Sequence, residues 1–167
     1  MLLKEVVALC RAFEAADLPF WVDGGWGVDA LIGKQTRPHS DLDLAIHLGD
    51  LPRFETLLGS LGYHPNKNDG ARAWNPVFTH RSKGSVDLHG FVLNADGVGI
   101  LSEPSENSAY PAGSLSGAGE LDGLQVRCIA APFVLMFRNG FEPRQIDYLD
   151  VARLCECFGL ERPSRFQ

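Results

Sequence analysis

Two aspartates, Asp41 and Asp43, restrict what the middle of this chain can fold into more than any other feature. They lie in residues 37–46, with the sequence RPHSDLDLAI. In a β-strand, residues two apart point to the same face, so both carboxylates share one face while Leu42 and Leu44 occupy the other. Neighbouring carboxylates repel each other unless a cation is present, and oxygen ligands favour Mg²⁺ or a similar hard ion. The segment therefore predicts a strand that carries a metal site.

Size and composition indicate one globular domain. The chain has 167 residues, of which 45% are hydrophobic and 22% charged, and its formal net charge is −6. This length predicts a single domain over residues 1–167. The negative charge argues against nonspecific nucleic-acid binding, which needs a basic surface. We expect no membrane partner, because no segment is apolar enough to span a bilayer and the N-terminus lacks a signal-peptide core.

The four cysteines, Cys10, Cys128, Cys155 and Cys157, form no Cys-x-x-Cys pair. We interpret them as reduced, buried structural residues, which predicts a cytoplasmic protein.

Apolar periodicity and turn residues predict an α+β chain. Helical spacing predicts helices over 3–16, 26–32, 52–61, 132–138 and 143–158. Strands are expected at 20–22, 41–47, 72–81, 84–93 and in a hairpin over 119–129 that turns at Asp122-Gly123. Residues 102–114 are predicted to form a long surface loop. The order predicts a small mixed sheet with helices mainly on one face, and C-terminal helices within residues 130–160.

A glycine-rich segment precedes the two aspartates. Gly24-Gly25-Trp26-Gly27 follows an apolar strand and opens a predicted helix. Glycines let the backbone approach a ligand closely, and N–H groups at a helix N-terminus bind anions. A phosphate site is one interpretation of this segment, and a tight turn without a ligand is the other.

The same segment also fits a dinucleotide-binding motif. Gly25-x-Gly27-x-x-Ala30 matches the glycine pattern, and Asp43 lies roughly where the ribose-binding acid of that motif is expected. Three features argue against it: Trp26 is bulky, a helix precedes the first strand, and the acid is doubled as Asp-x-Asp.

A third carboxylate, Asp87, lies on a later predicted strand between Val86 and Leu88. If this strand neighbours the one with Asp41 and Asp43, three carboxylates converge. Carboxylates that hold one or two divalent cations suit displacement at phosphorus, because the ions neutralise charge on the phosphate and on the leaving group. A solvated strand residue is the alternative interpretation of Asp87.

Several blocks of sequence together resemble the small antibiotic nucleotidyltransferases. They comprise residues 21–31 (WVDGGWGVDAL), residues 33–37 (GKQTR), His39-x-Asp41-x-Asp43, residues 86–89 (VDLH), residues 93–97 (LNADG) and residues 140–150. The chain is most similar to the lincosamide nucleotidyltransferases, and less similar to the aminoglycoside 2''-nucleotidyltransferases. The resemblance covers most of the chain.

The resemblance implies a DNA polymerase beta-like nucleotidyltransferase fold. It implies transfer of a nucleoside monophosphate, usually AMP from ATP, to a hydroxyl of a small-molecule antibiotic, with release of pyrophosphate. By position, Asp41 and Asp43 would bind Mg²⁺, with two ions expected. Asp87 would be the third carboxylate, acting as a metal ligand, as a general base, or both. Gly24 and Gly25 would hold the triphosphate.

Other polar residues have weaker assignments. Lys34, Arg37 and His39 lie between the glycines and the aspartates, so we expect them in the nucleotide site. The alternative for Lys34 and Arg37 is a solvated surface position. For His39 the alternatives are a structural role or a hydrogen bond that orients one of the carboxylates. His89 follows Asp87 on the same strand face and is predicted to border the acceptor.

On the last helix, Asp147 and Asp150 share a face, where they would receive an acceptor amine or form a solvated surface with Arg144 or Arg153. Four aromatic residues are candidates either for a drug pocket or for the core: Trp26, Trp74, Phe78 and Tyr110.

Two other functions stay open from the sequence. One is a non-catalytic nucleotide-binding module of the same fold, and the other is a dinucleotide-dependent oxidoreductase. The sequence is compatible with a monomer or a homodimer.

Overall fold

The computed structural model describes residues 1–66, 75–101, 109–140 and 142–167. Within these ranges the α-helices are α1 (Leu3–Ala15), α2 (Gly24–Ile32), α3 (Leu51–Ser60), α4 (Ala131–Arg138) and α5 (Gln145–Phe158). The strands are β1 (Phe20–Val22), β2 (Asp41–His47), β3 (His64–Pro65), β4 (Val77–His80), β5 (Gly84–Leu93), β6 (Gly99–Leu101), β7 (Ala109–Tyr110), β8 (Gly117–Leu121) and β9 (Leu124–Cys128). No described helix has the length and apolar character needed to cross a membrane.

The described strands form one mixed sheet in the order β3-β4-β5-β2-β1-β9-β8, and β6 and β7 extend from β5. β2 is parallel to β5 and antiparallel to β1, whereas β1 and β9 are parallel. The structure thus confirms the predicted α+β class with a mixed sheet. The parallel pairing of β2 and β5 is decisive for the site, because it places two acid-bearing strands side by side.

One face of β2 is apolar, as the alternation of its sequence predicts. Leu42, Leu44 and Ile46 are fully buried and belong to a core that includes Phe13 of α1 and Phe54 of α3. Burial of each such side chain contributes about 1.5–3 kcal/mol. This face of β2 is therefore committed to the core, and Asp41 and Asp43 must point to the other face.

A second core covers part of that other face. Ala45 of β2 packs there with Trp21, Phe91 and residues of α4 and α5 such as Val134 and Leu154. The helices α4 and α5 are thereby held beside the strand end that carries the aspartates.

Most element boundaries agree with the sequence predictions, with informative differences. Helix α2 begins at Gly24 rather than at Trp26, because the Asp23 side chain accepts a hydrogen bond from the Gly24 N–H and caps the helix there. The hairpin turn at Asp122-Gly123 is confirmed, with φ angles of 50° and 78°.

Two predictions fall partly outside the described residues. Of the strand expected at 72–81, residues 72–74 are not described and β4 begins at Val77. Of the loop expected at 102–114, residues 102–108 are not described, while Ala109–Tyr110 forms a short strand that pairs with β6.

Candidate active site

The N-terminus of α2 lies against β2, the strand that carries Asp41 and Asp43. Gly24 has a φ of 57°, and a Cβ atom added there would lie 1.9 Å from Oδ2 of Asp43. A Cβ atom on Gly25 would lie 2.3 Å from Nδ1 of His39. Both positions need glycine because larger residues would displace these polar side chains. The backbone of the first turn of α2 therefore stands directly beside Asp43 and His39.

Asp23 holds this helix start in place. Its Oδ1 accepts a hydrogen bond from the Gly24 N–H at 2.7 Å, and its Oδ2 accepts one from the Tyr110 hydroxyl at 2.9 Å. Burial is the largest cause that raises the pKa of Asp23 above its ordinary value, and the negative charge of Asp43 adds to the rise. Sequence analysis missed this residue, although its position before Gly24 is that of a helix N-cap.

The carboxylates of β2 and β5 converge. In the parallel pairing Asp43 is opposite Asp87, and Asp41 is opposite Ser85. Oxygen atoms of Asp43 and Asp87 and a ring nitrogen of His89 lie within 4.8 Å of one another. Asp41 lies two residues before Asp43 on the same face of β2 and is exposed. This donor set, two carboxylates and an imidazole with a third carboxylate nearby, fits a divalent cation.

The charges of Asp43, Asp87 and His89 shift the pKa values of Asp87 and His89 strongly. Burial is the main cause that raises the pKa of Asp87 from 3.8 to about 6; Asp43 adds to the rise, and His89 opposes it. For His89, burial acts to lower the pKa, but the carboxylate of Asp43, 3.7 Å from Nε2, and the charge of Asp87 outweigh it and raise the value to about 9. In the metal-free protein the imidazolium of His89 therefore supplies positive charge between the carboxylates.

Asn75 contacts Asp87 directly. Its Nδ2 donates to Oδ1 of Asp87 and, at 3.3 Å, to the backbone carbonyl of Leu88. The sequence gives no signal for this contact, because an asparagine before a proline predicts only a turn.

His39 has a different partner from the one that its position predicts. Its Nε2 lies 2.5 Å from Oδ2 of Asp29, a fully buried residue of α2, and its ring stacks at 4.4 Å from the ring of Trp26. Asp29 also accepts hydrogen bonds from the backbone and hydroxyl of Thr36. Of the two alternative interpretations of His39, an orienting hydrogen bond to Asp41 or Asp43 is thus wrong, whereas the contact with Asp29 agrees with a structural histidine. Its Nδ1 faces Gly25 at the start of α2.

Three arginines border the site from the side of α4 and α5. Arg37 donates to Asp150 through Nε at 3.0 Å and Nη2 at 2.8 Å. Arg138 pairs with Asp147, and its Nη2 lies 3.0 Å from Oδ2 of Asp150. Arg144 donates to Asp147 through Nε at 3.0 Å. We call these five residues the arginine cluster.

The arginine cluster changes the interpretation of its two aspartates. Asp147 and Asp150 are fully buried, so the prediction of a solvated surface is wrong, although Arg144 is confirmed as a partner of Asp147. Their carboxylates are occupied by arginines and offer no free face to an acceptor amine.

A cavity of about 320 Å³ is lined by several of these groups, although not by Asp87, Asp147 or Asp150. Its polar lining includes Asp41, Asp43, His89 and the three arginines, with Gly24 and Gly25 between them. Val134, Phe137 and Ile146 supply apolar lining that sequence analysis did not identify. Lys34 does not line this cavity and borders a separate groove with Arg153 and Cys157.

The aromatic candidates are placed as follows. Trp26 and Phe78 are buried in the core, Tyr110 is buried against Asp23, and Trp74 lies outside the described residues. The cysteines Cys10, Cys128 and Cys155 are free and buried, whereas Cys157 is free but exposed, contrary to the expectation for all four.

Comparison with known families and relatives gives a consistent assignment. Residues 5–154 match the Aminoglycoside-2''-adenylyltransferase family. A lincosamide resistance protein of Staphylococcus haemolyticus is 27% identical over 154 residues, which cover 90% of this chain and 92% of that protein. A 2''-aminoglycoside nucleotidyltransferase of Escherichia coli is 38% identical over 61 residues, covering 33% of this chain and 34% of that protein.

Solved structures agree with the fold. The crystal structure of the lincosamide antibiotic adenylyltransferase LnuA with lincomycin bound is 27% identical, has a TM-score of 0.79, and covers 92% of this chain and 96% of that chain. The crystal structure of ANT(2'')-Ia in complex with adenylyl-2''-tobramycin is 19% identical, has a TM-score of 0.75, and covers 94% of this chain and 89% of that chain.

Proposed function

The chain belongs to the Aminoglycoside-2''-adenylyltransferase family, and from this premise we propose that it transfers AMP from ATP to a hydroxyl of a lincosamide antibiotic. The proposed reaction depends on divalent metal, for which Mg²⁺ is the expected ion, and releases pyrophosphate. One domain over residues 1–167 would carry it out. Similarity to a lincosamide antibiotic adenylyltransferase and to a 2''-aminoglycoside nucleotidyltransferase supports the enzyme class.

One observation carries the proposal. The pairing of Asp43 with Asp87 across parallel strands brings two carboxylates together, and the start of α2 lies against Asp43. A helix N-terminus attracts phosphate, while carboxylates attract the cations that accompany a triphosphate. A metal–nucleotide complex offers both kinds of charge, so it matches this juxtaposition. A dinucleotide bound without metal would leave the paired carboxylates without a function.

We assign the nucleotide end of the site to Gly24, Gly25, Arg37 and His39. The two glycines give a phosphate access to backbone N–H groups of α2. Arg37 and His39 both come close to Gly25, which supports their predicted place in this site. Lys34 is left out of the assignment because it borders the separate groove.

Asp41, Asp43 and Asp87 would hold the metal ions. The short distances among donor atoms of Asp43, Asp87 and His89 support this fit. When bound, divalent cations neutralise charge on the phosphates and lower the pKa of a nucleophilic hydroxyl. Repulsion between the carboxylates, which raises the pKa of Asp87, would then be relieved.

Asp87 is our candidate for the general base. In the protein without metal the pKa of Asp87 is about 6, so its carboxylate is ionised at neutral pH, as a general base must be. The acceptor hydroxyl would give its proton to Asp87 as its oxygen forms a bond to the α-phosphorus. The bond from that phosphorus to the bridging oxygen would break, and pyrophosphate would leave. Asn75 would hold Asp87 in orientation during this step.

The acceptor assignment rests on similarity along the whole chain. The lincosamide resistance protein matches over 90% of this chain, whereas the 2''-aminoglycoside enzyme of Escherichia coli matches over 33%. The apolar lining by Val134, Phe137 and Ile146 suits a largely apolar drug. His89 lines the same cavity and would border the acceptor. An aminoglycoside is the second candidate, favoured by the family match.

The test is incubation of the protein with ATP, MgCl₂ and a single drug, followed by mass spectrometry of the drug. We expect an AMP adduct of lincomycin or clindamycin that disappears with EDTA and with the Asp43→Asn variant. An adduct of tobramycin or kanamycin alone would support the aminoglycoside candidate. ATP binding without any adduct across a broad panel of hydroxylated acceptors would contradict the proposal and favour a non-catalytic nucleotide-binding module.

A further inference from the structure

The arginine cluster (Arg37, Arg138, Arg144, Asp147 and Asp150) carries a net positive charge beside the proposed phosphate site. It combines three guanidinium groups with two carboxylates, which leaves one positive charge in excess. Burial would raise the pKa of Asp147, but hydrogen bonds from Arg144 and the charge of Arg138 hold it below its ordinary value. Asp147 is therefore a counterion to Arg138 and Arg144, and Asp150 makes direct ion pairs with Arg37 and Arg138.

Buried carboxylates fix the orientation of the guanidinium groups. Arg37 presents a forked pair of N–H groups to the two oxygens of Asp150, and Arg138 bridges Asp147 and Asp150. Forked pairs of this kind hold an arginine in one geometry. Each guanidinium has five N–H bonds, so donors remain after the aspartates are bound. For Arg144, Nη1 has no acceptor among the described residues, and its side chain is 67% exposed.

The cluster also reaches the start of α2. Nη2 of Arg37 lies 2.7 Å from the position that a Cβ atom of Gly25 would occupy. Arg138 is 6% exposed, lines the cavity, and has a buried Nε without an acceptor in the described part of the chain. A buried, incompletely paired arginine beside a helix N-terminus indicates a site for an anion.

We propose that Arg37, Arg138 and Arg144 bind the terminal phosphates of the nucleoside triphosphate, and that Asp147 and Asp150 are positioning residues that hold these arginines ready. This inference rests on the proposed function and deepens it. The cavity lining combines carboxylates with arginines, and a metal–triphosphate complex carries both cation and phosphate charge. Asp150 of α5 also links Arg37, which precedes β2, to Arg138 at the end of α4.

The first test uses Arg144→Gln, because Arg144 is exposed and its loss should leave the fold intact. We expect the KM for ATP to rise about tenfold, equivalent to about 1.4 kcal/mol, while the KM for the drug acceptor stays within about twofold. Arg11→Gln, an exposed arginine on α1 with the same change in charge, is the matched control and should leave both constants unchanged. An unchanged KM for ATP in Arg144→Gln would overturn the inference.

The second test separates positioning from general stability. Asp150→Asn keeps the shape of the side chain and should raise the KM for ATP by at least about tenfold, with little effect on the KM for the acceptor. A purely structural role predicts a lower melting temperature with both KM values unchanged. If this variant does not fold, Arg37→Lys decides the matter: it keeps the charge but loses the forked pair with Asp150, so its KM for ATP should rise, and an unchanged KM would contradict the positioning role.

A binding measurement keeps this inference separate from the proposed function. Inorganic tripolyphosphate is titrated into the wild-type protein and Arg144→Gln by calorimetry, with MgCl₂ present and no acceptor. We expect binding about tenfold weaker in the variant. Equal binding in both proteins, with normal drug adenylylation by wild type, would refute the inference alone. Absence of transfer by wild type, with weakened tripolyphosphate binding in the variant, would refute the proposed function alone.

Discussion

Replacement of Asp87 by asparagine should abolish nucleotide transfer and, without metal, make the protein more stable at neutral pH. Burial is the largest cause that raises the pKa of Asp87 from 3.8 to about 6, and the charge of Asp43 adds to it. The side chain is 26% exposed, so solvent screens only part of the effect. An ionised Asp87 therefore costs the folded state free energy, and asparagine of nearly the same shape removes that cost.

The sign and the size of the expected stability change follow from the pKa values of Asp87 in the unfolded and folded states. Below pH 3.8 the carboxyl is protonated in both the folded and the unfolded state, so there is no cost. As the pH rises towards about 6, the unfolded chain ionises first, and the wild-type protein loses stability through this group. Above that range the loss is constant at about 3 kcal/mol, since one pKa unit corresponds to about 1.4 kcal/mol. Asp87→Asn should thus be stabilised by about 3 kcal/mol near pH 8 and by only about 0.6 kcal/mol near pH 4.

Urea unfolding in EDTA at about pH 4 and about pH 8 measures this difference. Asp96→Asn, a change of an exposed carboxylate in the turn after β5, is the matched control and should show little stabilisation at either pH. Added MgCl₂ should stabilise wild type more than Asp87→Asn, because the bound cation neutralises the carboxylate. A variant that is less stable than wild type near pH 8 in EDTA, or equally stabilised at both pH values, would refute the reasoning.

Three further predictions concern residues around the site. Gly24→Ala should nearly abolish transfer, because its Cβ atom would lie 1.9 Å from Oδ2 of Asp43. Gly33→Ala is also at positive φ, but none of the described atoms lies within 4 Å of its Cβ position, so it should lose about 1–2 kcal/mol of stability in urea unfolding and keep its activity. Asn75→Ala should lower kcat about tenfold with an unchanged KM for ATP, because Asp87 loses a hydrogen-bond donor; steady-state kinetics would contradict this if only KM changed. Asp29→Ala should destabilise the protein by about 3–5 kcal/mol, since His39 and Thr36 lose a buried partner, and a change below about 1 kcal/mol in urea unfolding would speak against that role.

Local pattern was sufficient to predict much of the fold. The alternation of Asp41 and Asp43 with Leu42 and Leu44 predicts strand β2 because the two faces of a strand have different environments. Asp122-Gly123 predicts its hairpin because both residues tolerate positive φ. The start of α2 was missed by two residues, since glycine is a poor helix former and only the cap by Asp23 stabilises the earlier start.

The sequence predicts the part of the site that lies on two neighbouring strands. To predict that Asp43 and Asp87 converge, it was enough to assume that their strands are neighbours. The structure shows that these strands, β2 and β5, pair in parallel. The arginine cluster was not predictable, because Arg37 and Asp150 are 113 positions apart and each taken alone is typical of a solvated surface. The sequence also does not predict the contact between His39 and Asp29, because tertiary packing brings these two residues together and sequence spacing does not encode it.

The central claim is that the paired carboxylates and the start of α2 serve transfer of AMP to a drug hydroxyl. Its most direct test uses lincomycin with ATP labelled either at the α-phosphate or at the γ-phosphate, in the presence of MgCl₂. Label from the α-phosphate should appear on the drug, and label from the γ-phosphate should appear in pyrophosphate; Asp43→Asn should give neither. Label from the γ-phosphate on the drug, or drug labelling that persists in Asp43→Asn, would contradict the claim.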